Sequence, residues 1–372
     1  MLRAVRGLLL GTAVGLLGAG LASTPLGQDF EKHAGLGWLF FVRGQISPPP
    51  NVAVVAINER DIAGLGLPPL PRDWSRVVHA QLIRRLVELG AATIVFDMDF
   101  QRPKEAEDDA AFASAVAESD RVVLFERLEG KRQPLFDAGG KQTGTIWVEE
   151  RIPPIPVLAD AARALAPFPV PKVQVNVYQY WAFKPSAGYS ATMPSAALQL
   201  YALPVQQIWM DLLSRSGAQG IEGLPRSAEA VGRADAVRQL MSSLRESFAR
   251  DPGLSARVRK RLSAASGPYG SEQARSLLTA LTALYGGEDQ RYLNFYGPPG
   301  TIPNIPFNAV FRNDPSTLPD VFGKAVFVGF SDLYDPGQPD RFYTVFTNKH
   351  GIDLSGVEIA ATAFANLLTD SA

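Results

Sequence analysis

Four short, unbroken runs of apolar and largely β-branched residues, Val52–Ile57, Thr93–Phe96, Val122–Phe125 and Ala325–Val328, leave few folds open to this chain. A strand without polar alternation is buried on both faces, which is the habit of a parallel sheet covered on both sides. Between the first two runs, Val78, Leu82, Leu86 and Leu89 recur at helical spacing with Arg76, Arg84, Arg85 and Glu88 opposite, and Gly90 closes the pattern. Between the second and third, Asp108 and Asp109 head a helix that turns Phe112, Ala115 and Val116 inward. The alternation predicts a βαβαβ unit, hence an α/β fold with a mostly parallel sheet flanked by helices.

Order weakens after Phe125. Gly130 to Gly144 reads as a polar loop, residues 152–171 are punctuated by proline, and Val173–Trp181 alternates as an antiparallel or edge strand. From about residue 204 to 288 the pattern is helical, with breaks at Pro252-Gly253 and Gly267-Pro268, and predicts an inserted helical subdomain. The α/β pattern resumes with Arg291–Tyr296, a turn at Gly297-Pro298-Pro299-Gly300, the run from Ala325 and a closing amphipathic helix Val357–Leu368. The expected division is a signal anchor at 1–28, the first part of the α/β domain at 29–203, the helical insertion at 204–289 and the second part at 290–372.

Arg3 and Arg6 precede an uncharged segment from Gly7 to Ala22 rich in Leu, Val, Ala and Gly. Its length suits either a cleaved signal or an uncleaved transmembrane helix, and the anchor is the preferred reading. With arginines before it and Asp29, Glu31 and Lys32 after it, the N-terminus is expected in the cytosol and the body outside, on a single-pass protein of the inner membrane. Gly7, Gly11 and Gly15 repeat at i, i+4 and i+8, which leaves one helix face bare for close approach of a second copy. The stretch from Asp29 to Gly44, with Leu36, Trp38, Leu39, Phe40, Phe41 and Val42, is expected as a membrane-proximal helix.

Lys and Arg total 36 against 37 Asp and Glu, so no global field draws phosphate backbones, and the run Arg257–Arg261 lacks interleaved aromatics; nucleic-acid binding is not expected. With no cysteine, disulfides, thiolate metal sites and thiol nucleophiles are excluded, and three histidines make a histidine-rich metal site a poor fit. His79 is expected at the surface or at a cap. No P-loop, no dinucleotide fingerprint after a strand and no nucleophile elbow is present, so no cofactor is expected.

Asp97 and Asp99 follow a buried strand, at the edge where open α/β sheets bind ligands. A haloacid-dehalogenase-like phosphatase begins in this manner, with Ser331 as its phosphate-binding hydroxyl, but Arg102 stands where that pattern has Thr or Ser and no supporting lysine is evident. Asp332, Asp335 and Asp340 read either as oxygen ligands for a divalent cation or as an ordinary Gly/Pro/Asp turn.

The order of several stretches resembles the CHASE type 2 family of extracytoplasmic sensor domains. They are Val54-Val55-Ala56-Ile57-Asn58-Glu59, Pro71-Arg72, Phe96-Asp97-Met98-Asp99-Phe100, Asp108–Phe112, Met193-Pro194-Ser195, Phe295–Ile302, Gly323–Gly329, Ser355–Ile359 and Ala365-Asn366-Leu367-Leu368. The resemblance implies a non-enzymatic sensor that serves a kinase or cyclase output, and a structural subunit of an envelope complex or the metal-dependent phosphatase stands as the alternative. Asn58 stands where the family usually has Asp, Ala360-Ala361 replaces His-Ala, Val345-Phe346 replaces Pro-Phe, and the helical insertion is longer than usual. Ligand recognition is expected at the carboxyl edge of the sheet, with Asn58, Glu59, Arg72, Asp97, Asp99, Ser331 and Asp332 as candidate contacts. The expected partners are the membrane, a second copy through Gly7, Gly11 and Gly15, and a separate kinase, cyclase or envelope-complex protein.

Overall fold

The computed structural model describes residues 35–370 apart from 171–176, 265–268, 270, 313–317, 333–340 and 348–352, with residues 11, 12, 15, 18, 20 and 24 ahead of them. In chain order the elements are α1 (Leu36–Arg43), β1 (Val52–Ile57), α2 (Glu59–Gly64), α3 (Arg76–Glu88), β2 (Thr93–Asp97), α4 (Ala106–Ser119), β3 (Val122–Phe125), β4 (Arg127–Phe136) and β5 (Gln142–Ile152). There follow α5 (Pro156–Ala161), β6 (Ala164–Ala166), β7 (Gln179–Trp181), β8 (Phe183–Lys184), β9 (Ser190–Ala191), α6 (Met193–Tyr201) and α7 (Gln206–Arg215). The chain continues through α8 (Asp235–Arg250), α9 (Leu254–Ser263), α10 (Glu272–Gly286), β10 (Gln290–Tyr292), β11 (Asn304–Pro306), β12 (Ala325–Phe330), β13 (Arg341–Phe342), β14 (Leu354–Ser355) and α11 (Gly356–Thr369).

Six strands form one sheet in the order β11-β1-β12-β2-β3-β6, every pair parallel. Strand β12, although late in the sequence, lies between β1 and β2, in register Val52↔Ala325 on one side and Ala325↔Thr93 on the other. The apolar runs divide by period two between the two faces. Val55, Ile57, Ile94, Phe96, Val122, Leu124, Val326 and Val328 pack against α3, α4 and α5, whereas Val52, Val54, Val95, Val123, Ala325 and Phe327 pack against the layer that contains α6, α8, α10 and α11. Each large side chain so buried contributes on the order of 1.5–3 kcal/mol. Helices α7 to α10, from the stretch read as an insertion, share one buried cluster with this second face.

Helix α11 is buried along almost its whole length and lies against β12. Glycine at 329 permits the approach, because a Cβ there would stand 2.8 Å from the Cβ of Val357.

Two expectations need correction. Gly130–Gly144 is no loop but part of the antiparallel hairpin β4–β5, paired from Arg127↔Ile152 to Phe136↔Gln142. Both of its faces are largely exposed, so neither strand shows the alternation that marks a half-buried one. His79 is not at the surface; it is 2% exposed and ringed by Trp74, Phe96, Phe100 and Phe112 at centroid distances of 5.2 to 6.4 Å. The strand expected over Val173–Trp181 is β7 alone, with residues 173–176 outside the description.

Among the described residues no helix is long and apolar enough to cross a membrane. Most of the segment Gly7–Ala22, Gly7 included, lies outside them, so the anchor rests on the sequence. Gly11 and Gly15 are helical, with open space where a Cβ would stand.

Candidate functional site

The carboxyl ends of the strands collect on one edge of the sheet and divide into two neighbourhoods. The first is the β1–β12 end. Ser331 N–H donates to the Ile57 carbonyl at 3.0 Å, and Asp332 Oδ2 accepts from the Glu59 N–H at 3.0 Å, which ties the two strand ends together. Asn58 caps α2, its Oδ1 accepting from the Asp61 N–H at 2.9 Å and its Nδ2 donating to Asp61 Oδ2 at 2.8 Å. An aspartate in its place would still accept from the N–H but would set two carboxylates against each other.

Behind this knot, the Ser355 hydroxyl donates to Ser331 Oγ at 3.1 Å and forms a capping box with Glu358. Glu358 Oε1 also accepts the Gly300 N–H at 2.7 Å. Burial raises the Glu358 carboxyl above its ordinary range, and the N–H groups of Gly300 and Ser355 oppose that rise by favouring the charged form. Ser331 is 3% exposed with its oxygen taken by Ser355, which is no posture for a phosphate-binding hydroxyl.

The second neighbourhood is a cleft of 620 Å³ over the ends of β2, β3 and β6. Asp97, Met98 and Asp99 form its floor at β2, Phe125 and Glu126 continue it at β3, and Pro167 to Val170 close it beyond β6. Arg127, Leu128 and Glu149 enter from the base of the β4–β5 hairpin, and Phe342 and Gly356, the first residue of α11, complete the rim. Asp99 holds a local turn, Oδ1 accepting from the Gln101 N–H at 2.8 Å. Glu149 meets Lys184 at 3.2 Å and accepts from the Ser186 hydroxyl.

Glu126 is 2% exposed. Arg238 donates to its Oε1 at 2.8 Å, while Oε2 is buried without a hydrogen-bond partner among the described residues. Burial pushes this carboxyl up, and the Arg238 guanidinium pulls against the rise. The lining therefore joins four carboxylates and one guanidinium to an apolar wall, a surface suited to a small ligand that carries hydrogen-bond donors or positive charge on an apolar body.

Of the seven candidate contacts, Asp97 and Asp99 line the cleft, whereas Asn58, Glu59, Ser331 and Asp332 fasten the neighbouring strand ends. Arg72 stands exposed on the 3-10 turn before α3 and is not among the cleft residues. Asp335 and Asp340 lie outside the described residues. Glu126 escaped the sequence reading although it directly follows a buried strand, the same position that singled out Asp97. Glu149 and Leu128 escaped because the hairpin that brings them was read as a loop.

A search of curated proteins and a search of solved structures returned no match to the chain. The family model for the CHASE2 domain matches residues 11–372, nearly the whole length. The ordered motifs, the six-stranded parallel sheet and this match agree, and the chain belongs to the CHASE2 family of sensor domains.

Proposed function

We propose that the protein is a non-enzymatic sensor module, anchored in the inner membrane with its main domain outside the cytoplasm, that binds a small ligand in the carboxyl-edge cleft. On this reading it works as a homodimer and passes its signal to a separate kinase, cyclase or envelope-complex partner. The observation that carries it is the cleft itself, which joins β2, β3 and β6 to the first residue of the buried helix α11. A ligand that rearranges Gly356 acts on a helix of 14 residues, about 21 Å long at 1.5 Å per residue, packed on the sheet beside α6. The phosphatase reading loses support because Ser331 is bonded away from Asp97 and Asp99 in the neighbouring knot.

A stability screen of small molecules on the full chain tests the proposal, with Asp97→Asn and Phe168→Ala alongside. Compounds that raise Tm of the natural chain but not of both variants are expected. Compounds that stabilise all three chains alike bind elsewhere, and Mg²⁺-dependent phosphoester hydrolysis lost in Asp97→Asn would restore the enzyme.

A further inference from the structure

Helix α1 is apolar on every side: its sequence is LGWLFFVR, and Arg43 is its sole charged residue. Such a helix belongs in a protein core or in lipid, yet only Phe40 is buried. The Phe40 ring packs edge-on to Phe295 at 6.0 Å and Phe346 at 5.9 Å, and the Arg43 guanidinium bonds the Asn294 side chain and the Phe295 carbonyl. The helix is thus fastened to the body, and its outward side is fixed as well. At about 100° per residue, Phe41, Trp38, Val42 and Leu39 cover a continuous arc of about 160° centred opposite Phe40. These four side chains are 82%, 65%, 62% and 60% exposed.

The position of α1 in the molecule says what covers that arc. Asn294 N–H donates to Asn366 Oδ1 at 2.9 Å, and Asn366 Nδ2 donates to the Asn294 carbonyl at 3.0 Å. Arg43 therefore meets, through Asn294, the far end of α11, the end remote from Gly356 and the cleft. The uncharged segment Gly7–Ala22 precedes α1 by one short stretch of chain. The arc contains no charge, and its one polar group is the Trp38 indole N–H, the arrangement that settles at a bilayer surface with rings among the headgroups.

We propose that the outward face of α1 is a seat on the lipid bilayer, which holds the domain upright with the ligand cleft pointing away from the membrane. A face made to meet a second copy would instead carry a polar rim with hydrogen-bonding partners. The seat presupposes the membrane association proposed above, and the test separates the two.

The chain has no cysteine, so Phe41→Cys and Leu39→Cys each create a unique thiol at an exposed position, with Glu129→Cys on the hairpin as the reference. The full chain is spin-labelled and reconstituted in vesicles of phosphatidylethanolamine and phosphatidylglycerol, and collisions with oxygen and with a water-soluble nickel chelate are measured. Positions 41 and 39 are expected to favour oxygen several-fold over the chelate, and position 129 the reverse. Free access of the chelate to position 41 overturns the seat, as does exclusion of both reagents, the mark of a protein contact. Failure of the chain to float with the vesicles overturns the membrane association, and the seat with it.

Discussion

A histidine ring enclosed by Trp74, Phe96, Phe100 and Phe112 is held neutral. Burial, and after it the charge of Arg76, lowers the His79 pKa from 6.5 to about 3. Between those values the unfolded chain binds a proton that the native state refuses, so the stability contribution is complete above pH 6.5 and is lost as pH falls toward 3. The slope is about 1.4 kcal/mol per pH unit for one such group. Glu126 and Glu358 act in the opposite sense, because their raised carboxyls favour the native state at low pH and lose that advantage as pH rises. The expected signature is therefore a difference between chains: in denaturant unfolding the natural chain loses stability relative to His79→Phe as pH falls below 6.5. Equal slopes in the two chains would place a charged or solvated ring at position 79. At the end of α11, Ser355→Ala removes the cap and the Ser331 bond together, and a loss of about 1–2 kcal/mol is expected from the same unfolding curves.

Elements differed in how plainly the residues announced them. The strands β1, β2, β3 and β12 were legible because burial on both faces leaves an unbroken apolar run, and α3 and α4 because only one side of each is buried. The site was legible as far as Asp97 and Asp99, for the sheet's carboxyl edge can be located once its strands are known. Ser331 and Asp332 sit on that same edge, but whether such a residue faces a ligand or another part of the chain is decided by partners 24 and 273 positions away, Ser355 and Glu59, while Asn58 is held by Asp61 three positions on. The β4–β5 hairpin hid for a different reason, having no core face. Within it the Trp147 ring lies over Gly130, where an added Cβ would collide with the ring. An isolated two-stranded ribbon is marginal in water, so Trp147→Ala is expected to speed amide hydrogen exchange across residues 127–152 severalfold while β1, β2 and β12 stay protected. Loss of protection in the central strands as well would mean that the hairpin supports the core.

Across the whole molecule the two ends of the sheet have different surroundings. Asp97, Glu126 and the hairpin base gather around the cleft at one end, and α1 meets the tail of α11 at the other, with α11 running between them. Replacing Asn366 with Leu removes the bonds to Asn294 and is expected to loosen α1, read as faster hydrogen exchange over Leu36–Arg43 with the strands unchanged. The central claim is that a ligand occupies the carboxyl-edge cleft, and the absence of native cysteine permits a direct measurement. A thiol placed by Leu128→Cys, half-buried on the cleft wall, is alkylated in the full chain with and without a compound that raises its Tm. Occupancy of the cleft predicts that the compound slows alkylation at position 128 and leaves a Glu129→Cys thiol on the opposite face of the hairpin unaffected; an unchanged rate at position 128 would contradict it.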